Sequence, residues 1–378
     1  MANSAWDIFS NLEFIIPAIL FLTLLSVEFL WLPSDKHQNH HLVRLKDFHE
    51  ISFEKLEPLL RKFSISKIYL VHGTFAGIDP LGFKEIPILS ALSFWLGRCL
   101  RFFIRGRGYF HPKLIDQVQR HIQTELIDWG GENHHLGRLK GAFQLLQQLS
   151  PSEGGQIIIG HSHAAQLLAM TQHMRTQTEL GKSLFGYAAQ LGFNQDKLRE
   201  QIKLTESQAI YWITLGSKLR LTFPTSDLDY LAHFHNCRTT QRTRLIGILT
   251  ARPGDMIQSW AVEGSDFLPT TSPDFKLCLE LEKLLDRGVS PLKWAQQMAR
   301  GGTRLNAEGT NFALSYKDSN LPLIGPFLSI WGHGVYLSKK AIFYQIYSYL
   351  HWLDSDFKDQ SDSASKSESK IPQKSAQM

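Results

Sequence analysis

Strand-like stretches alternate with helix-like stretches along most of the chain. Candidate strands occupy residues 66–73, 125–129, 156–160, 209–216 and 244–251, and the continuous isoleucine run within 156–160 is typical of a strand covered on both faces of a sheet. Residues 136–149 and 275–288 carry apolar positions at helical spacing. This alternation predicts an α/β fold, with a central, mostly parallel sheet and helices on both faces. Because the strands recur throughout, we expect one domain with helical cap insertions.

The two ends of the chain differ from this pattern. Residues 14–32 are almost wholly apolar, and as a helix they would extend roughly 28 Å, about the hydrocarbon thickness of a bilayer. A spanning anchor is predicted, with a helix lying in the interface as the alternative. Arg44 and Lys46 favour a cytoplasmic location for the following chain. The predicted units are an N-terminal segment (1–13), a membrane anchor helix (14–32), a juxtamembrane connector (33–65), a catalytic domain (66–353) and a disordered tail (354–378).

Composition narrows the functional classes. With 43% hydrophobic and 20% charged residues among 378, the chain can bury an ample core. The net charge of +5 is too diffuse to indicate nucleic-acid binding. The three cysteines lie far apart, with neither a disulfide framework nor zinc-ligand spacing. The histidines in residues 37–41 lie beside the predicted anchor, where a solvated stretch is expected rather than a metal site.

The most informative stretch is residues 154–170, GGQIIIGHSHAAQLLAM. Three isoleucines, typical of a buried strand, run into Gly160-His161-Ser162-His163-Ala164, and a helical pattern begins directly afterwards. The five residues fit the nucleophile-elbow pattern G-x-S-x-G except at the last position, where alanine is the smallest departure. A serine at such a turn has its hydroxyl exposed at the edge of the sheet. We therefore predict Ser162 as a nucleophile, the alternative being a tight turn of small residues.

A second loop supports this interpretation. The strand over 66–73 ends at His72-Gly73, and Thr74 begins a loop. Acyl transfer needs two backbone amides directed at the developing oxyanion. The residue after the nucleophile, His163, is expected to supply one, and Thr74 is the natural source of the other. An ordinary glycine turn closing the strand is the alternative.

The stretches LVHGTFAG and GHSHAA, together with the order of the acidic and histidine candidates downstream, resemble the α/β-hydrolase superfamily in its esterase and lipase branch. The resemblance covers roughly residues 66–345, and only its motifs are specific. Residues 127–139, IDWGGENHHLGRL, are similar to a stretch preceding the elbow in some bacterial hydrolases of this kind. The resemblance implies a mainly parallel sheet and a triad in the chain order serine, acid, histidine.

The acid is therefore sought downstream of Ser162. Asp255 comes after the predicted strand 244–251, and the superfamily places its triad acid on the turn after a late strand. The alternative role for Asp255 is an N-cap of the next segment. The rival acids are Asp227, Asp229, Glu263 and Asp266.

The base is predicted to be His333, which stands between two glycines shortly before a terminal helix. A loop of this kind lets an imidazole reach across the edge of the sheet. His233 and His235 precede the predicted acid and would break the chain order. His161 and His163 flank the serine, but neighbouring elbow side chains generally diverge, so neither is assigned as the base.

Together these residues predict a serine hydrolase that cleaves carboxylic esters through an acyl-enzyme, with no metal or organic cofactor. The expected partners are a lipophilic acyl-ester substrate and, through the N-terminal helix, membrane lipid. Residues 94–110 interleave arginines with aromatics and are predicted to be a cap or membrane-facing segment rather than a nucleic-acid site. A thioesterase or amidase, and a catalytically inactive membrane-anchored scaffold of the same fold, remain alternatives.

Overall fold

Strands and helices alternate in the computed structural model, as the apolar pattern predicts. The structure describes residues 28–30, 41–45, 48–74, 110, 112–226, 228–237, 242–244, 254–255, 257–258, 272–285, 305–316 and 333–368. The strands are β1 (Glu28–Leu30), β2 (His41–Arg44), β3 (Ile65–Val71), β4 (Gln123–Ile127), β5 (Gly155–His161), β6 (Ile210–Leu215), β7 (Asp229–Asn236), β8 (Arg242–Arg244) and β9 (Thr310–Leu314). The helices are α1 (Phe53–Lys62), α2 (Pro112–Gln119), α3 (His135–Gln148), α4 (Ala164–Arg175), α5 (Glu179–Phe185), α6 (Gln195–Thr205), α7 (Ser272–Leu284) and α8 (Lys339–Glu368), with a 3-10 turn at Gly334–Leu337.

Seven of the strands form one sheet in the order β2-β9-β7-β6-β5-β3-β4, and every pairing in it is parallel. The isoleucine strand β5 lies between β3 and β6 and is buried along its whole length. Because parallel strands end at a common edge, the loops after β3, β5, β6, β7 and β9 meet at the carboxyl edge of the sheet. β1 and β8 form a separate antiparallel pair.

Two hydrophobic cores lie on opposite faces of the sheet. One contains α3 to α7 together with sheet residues such as Ile158 and Trp212. The other contains α1, α2 and α8 together with residues such as Ile157 and Ile213. Successive residues of a strand point to opposite faces, so adjacent isoleucines of β5 enter different cores. The predicted α/β class, with a parallel sheet covered by helices on both faces, is confirmed.

The late strands differ from the prediction. Of the predicted strand 244–251, only Arg244 is described, and it belongs to β8, outside the main sheet. In the part of the chain that the structure describes, the main sheet continues beyond β6 through β7 and β9, neither of which the apolar pattern predicted. β7 has the sequence DYLAHFHN, whose polar residues hide a strand from a hydropathy pattern. They are accommodated because they have partners: His233 Nδ1 lies 2.6 Å from Thr214 Oγ1, and His235 Nε2 lies 2.8 Å from Asn311 Oδ1.

The described part of the predicted connector, residues 41–45 and 48–65, packs with the domain. β2 pairs with β9 at one edge of the main sheet, and α1 packs on α8 through the second core. The fold therefore begins before residue 66. A short strand and a ten-residue amphipathic helix gain their stability from packing on a sheet, which the pattern of an isolated segment does not reveal.

The predicted anchor lies mostly outside the described residues. Its described residues, Glu28–Leu30, form β1 rather than helix. Of the helices that the structure describes, none combines the length and apolarity needed to cross a bilayer. Of the predicted cap or membrane-facing segment 94–110, only Phe110 is described, and it is buried.

The predicted disordered tail begins as helix, because α8 continues to Glu368. The packed first half of α8 supplies the nucleus, and extending a helix is far easier than starting one. Residues 355–368 contain no proline or glycine to stop the extension. Residues 369–378 lie outside the described residues.

Candidate active site

Ser162 occupies the turn between β5 and α4 with a left-handed backbone, φ 57°. A non-glycine residue rarely adopts this conformation, which persists only where surrounding contacts enforce it. Two such contacts come from the end of β6. The Ser162 amide donates to the Leu215 carbonyl oxygen at 2.9 Å, and the Ser217 hydroxyl donates to the Ser162 carbonyl oxygen at 2.6 Å. These hydrogen bonds therefore fix the conformation of the turn at the edge of the sheet.

Two glycines allow this turn to pack closely. A Cβ placed at Gly160 would lie 2.7 Å from Leu168 Cδ1, so the glycine lets α4 approach the strand. A Cβ placed at Gly73 would lie 2.8 Å from Cβ of Ser162, so the loop after β3 passes directly beside the serine. Ala164, where the elbow pattern has glycine, is fully buried at the start of α4. The departure from the pattern is thus accommodated.

His333 and Asp255 form a buried pair. His333 Nδ1 lies 2.8 Å from Asp255 Oδ2. The aspartate also receives hydrogen bonds from the Tyr336 hydroxyl (2.9 Å, to Oδ2) and the Gln258 amide (2.9 Å, to Oδ1), so it acts as the acceptor throughout. The Nδ1 proton of His333 therefore points to Asp255, and in the neutral ring Nε2 carries the lone pair. This Nε2 is buried and has no hydrogen-bond partner among the described residues.

Asp255 is held firmly at the carboxyl end of β7. Its side chain is fully buried, and its amide donates to the Asn236 carbonyl oxygen at 3.0 Å. The Tyr336 hydroxyl that binds the carboxylate itself accepts a hydrogen bond from the Asn236 amide at 2.7 Å. The predicted alternative, an N-cap, is also realised, since Oδ1 accepts from the Gln258 amide three residues on. Oδ1 of Asp255 therefore caps the backbone at Gln258, and Oδ2 binds the imidazole of His333.

The loop after β6 joins the serine to this pair. Gly216 has φ 58°, and a Cβ there would lie 2.6 Å from Asp255 Oδ2 and 3.1 Å from His333 Cε1. The next residue, Ser217, binds the Ser162 carbonyl oxygen. Ser162, Asp255 and His333 thus converge on two consecutive residues, although 93 positions separate the serine from the aspartate in sequence (255 − 162).

The residue before the nucleophile candidate also touches His333. His161 Nε2 lies 3.0 Å from the His333 carbonyl oxygen, and the two ring centroids are 4.4 Å apart. Burial, reinforced by the neighbouring His333, lowers the pKa of His161 well below its usual value. The ring is therefore neutral at ordinary pH.

The two predicted oxyanion residues are neighbours. Thr74 Oγ1 lies 2.9 Å from His163 Nδ1, which ties the loop after β3 to the start of α4. His163 is the N-cap of α4, so the positive end of the helix dipole lies beside the turn. The loop beyond Thr74, up to residue 109, lies outside the described residues.

The rival residues stand elsewhere or in other roles. Asp229 lies at the opposite end of β7 from Asp255 and pairs with buried Arg175, so it is remote from the carboxyl edge. His233 and His235 are hydrogen-bonded within the sheet. The remaining rival acids, which lie outside the described residues, are Asp227, Glu263 and Asp266.

Sequence reasoning missed the residues that hold the pair together: Gly216, Ser217, Gln258 and Tyr336. Gly216 carried a visible signal, because a glycine directly after a buried strand often marks a left-handed turn. Tyr336 carried none, since its hydroxyl is placed by a turn after His333 that brings it back over β7. Searches of the chain against protein-family profiles, curated proteins and solved structures find no match.

Proposed function

We propose that this protein is a serine hydrolase of the α/β-hydrolase type, cleaving carboxylic esters with Ser162, His333 and Asp255. The observation that carries the proposal is the convergence at the carboxyl edge of the sheet. A serine in left-handed conformation is bonded to Ser217, and a buried histidine–aspartate pair lies against the preceding residue, Gly216. The chain order serine, acid, histidine agrees with the superfamily that the motifs resemble.

In the proposed mechanism, Ser162 Oγ attacks the ester carbonyl carbon while its proton passes to His333 Nε2. The lone pair on Nε2 suits this role because Asp255 fixes the Nδ1–H tautomer. Asp255 then faces the imidazolium that forms and stabilises its charge. His333 gives the proton to the departing alkoxide, which leaves as an alcohol. Water, deprotonated by His333, cleaves the acyl-enzyme to a carboxylic acid and restores the serine.

The tetrahedral intermediate carries a negatively charged oxygen, which hydrogen-bond donors must stabilise. The amides of His163 and Thr74 are the proposed pair, since their side chains bind each other beside the serine. Preorganised amides of this kind contribute on the order of 10²–10³ in rate each. The short side-chain bridge between the two loops would keep the two donors at a constant separation.

The apolar N-terminal segment favours lipophilic acyl substrates delivered from a membrane, with the catalytic domain on its cytoplasmic side. The same chemistry would cleave thioesters and amides, so a thioesterase or amidase is the nearest alternative. No step requires a metal or an organic cofactor.

Labelling with a fluorophosphonate probe tests the proposal. The probe should attach to the wild-type protein and not to Ser162→Ala, and the variant should lose ester hydrolysis while its melting temperature hardly changes. Ser183→Ala is the matched control, since Ser183 is an exposed serine on α5 away from the site. A folded wild-type protein that neither labels nor hydrolyses a short ester would favour the inactive scaffold instead.

A further inference from the structure

His161 directly links the turn at Ser162, called the nucleophile turn below, to the segment that carries His333. It is the last residue of β5, and its side chain reaches the main chain of His333 at 3.0 Å. Asp255 binds the imidazole of the same histidine. The ring and the main chain of His333 are therefore secured by two separate groups.

The hydrogen bond to His333 has one possible direction. A carbonyl oxygen only accepts, so Nε2 of His161 carries the proton and donates it. Nδ1 of His161 is then an acceptor, buried without a partner among the described residues. Leaving a buried polar atom unpaired is unfavourable. A purely structural position would be better filled by an apolar ring.

The neutral state of His161 matters for its neighbour. The two ring centroids are 4.4 Å apart, so a charge on His161 would oppose protonation of His333. The low pKa of His161 removes that opposition. A neutral ring with a fixed tautomer can hold His333 in place without hindering the proton transfer expected of it.

We infer that His161 is a positioning residue that holds the His333 main chain against the nucleophile turn and so keeps Nε2 of His333 directed at Ser162. The inference rests on the proposed function, because it assigns His333 as the base. A displacement of about 1 Å between reacting groups lowers rates by up to about 10²-fold.

Two substitutions separate the hydrogen bond from the ring. His161→Phe keeps a ring and removes the donor, and we expect kcat to fall about 10- to 100-fold with KM nearly unchanged. His161→Gln places an amide nitrogen near the position of Nε2, and it should restore kcat to within a few-fold of wild type. His173→Phe is the matched control. His173 lies near the end of α4, away from Ser162, and it is also buried, with its Nε2 2.8 Å from the Thr222 carbonyl oxygen. The control variant should lower the melting temperature and leave kcat unchanged.

A second readout does not depend on turnover. The His333 Nδ1 proton bound to Asp255 should give a low-field proton NMR signal, which His161→Phe should weaken or shift and His173→Phe should not. Wild-type kcat and an unchanged signal in folded His161→Phe would overturn the inference, as would a folded His161→Gln variant with the full loss. If the wild type itself does not label with the fluorophosphonate, the proposed function fails, and the NMR comparison still decides whether His161 positions His333.

Discussion

Two buried aspartates near the two ends of β7 show how position decides what a residue does. Asp229, at the start of the strand, pairs with Arg175 and accepts hydrogen bonds from Gln172 and Ser226. Asp255, beside the end of the strand, binds His333. Both carboxylates are buried, but only that of Asp255 lies at the edge where the serine turn is.

Substituting these two aspartates should therefore affect different properties, kcat for Asp255 and stability for Asp229. Asp255→Asn should lower kcat on the order of 10⁴-fold with a small change in stability, because the amide no longer fixes the His333 tautomer. Asp229→Asn should leave kcat of the folded protein within a few-fold, but it should lower stability by about 3–5 kcal/mol, since the buried Arg175 guanidinium loses the carboxylate that compensates its charge. Ester hydrolysis and urea unfolding of both variants measure the two effects. Normal turnover in Asp255→Asn would mean that another carboxylate acts as the triad acid.

Gly216 offers a second comparison at this scale. Gly216 and Gly192 both have positive φ, but a Cβ at Gly192 meets nothing within 4 Å. Gly192→Ala should thus lower stability by only about 1 kcal/mol, the ordinary left-handed penalty. Gly216→Ala adds a collision with Asp255 and Tyr336, so it should also lower kcat by at least about 10-fold. Equal kcat values in the two variants would show that the loop after β6 does not hold the pair.

At the scale of elements, the strand–turn–helix unit of β5 and α4 is shaped by close packing. α4 is buried on all sides, and its Leu168 lies directly over Gly160. A glycine is needed in the strand because the helix is already covered by its neighbours α3, α5 and α6 and has no room to move outward. The turn at Ser162 depends on this contact.

A double-mutant cycle tests that contact. Gly160→Ala should destabilise by about 1–3 kcal/mol through overpacking, and Leu168→Ala by about 2–5 kcal/mol through the cavity it leaves. The new methyl would occupy part of that cavity, so the double variant should lose clearly less than the sum of the two. Denaturant unfolding of the four proteins gives the coupling energy. Strict additivity would mean that the two side chains do not compete for the same space.

At the scale of the whole molecule, the order of the strands assembles the site. β5 lies between β3 and β6, so the Thr74 loop approaches Ser162 from one side and the Gly216 loop from the other. β7 and β9 lie beyond β6 on the same side. Because the sheet is parallel, all these strands end at one edge, and segments far apart in sequence deliver their side chains to the same place.

Truncation tests the proposed membrane attachment at this scale. The full-length protein should sediment with membranes and resist carbonate extraction, because residues 14–32 are almost wholly apolar and, as a helix, long enough to span the hydrocarbon core. Removing residues 1–27 should release an active protein that retains β1. Removing residues 1–45 also deletes β2, an edge strand of the main sheet, and should lower the melting temperature in addition. Full-length protein found wholly in the soluble fraction would exclude the anchor.

The sequence by itself determined the elements that identify themselves locally. The isoleucines of β5, the Gly-His-Ser-His-Ala turn and the helical spacing after it predicted the strand, the turn and α4 within a residue or so. These features depend on short-range sterics and on burial along a few successive residues, both of which are visible in the residue types. The positions of Asp255 and His333 came from chain order in a resembling superfamily, and the structure brings the two side chains into hydrogen-bonding contact.

Only the tertiary structure decided how those residues are held. β7 and β9 are polar enough to escape a hydropathy pattern, because their buried histidines and asparagines find partners on neighbouring strands. The contacts of Gly216, Tyr336 and His161 with the pair join segments that no local pattern connects. Likewise β2 and α1, and the helical start of the tail, owe their form to packing on a sheet or continuation from a packed helix. Such stability arises from long-range contacts, which residue types along a single segment do not encode.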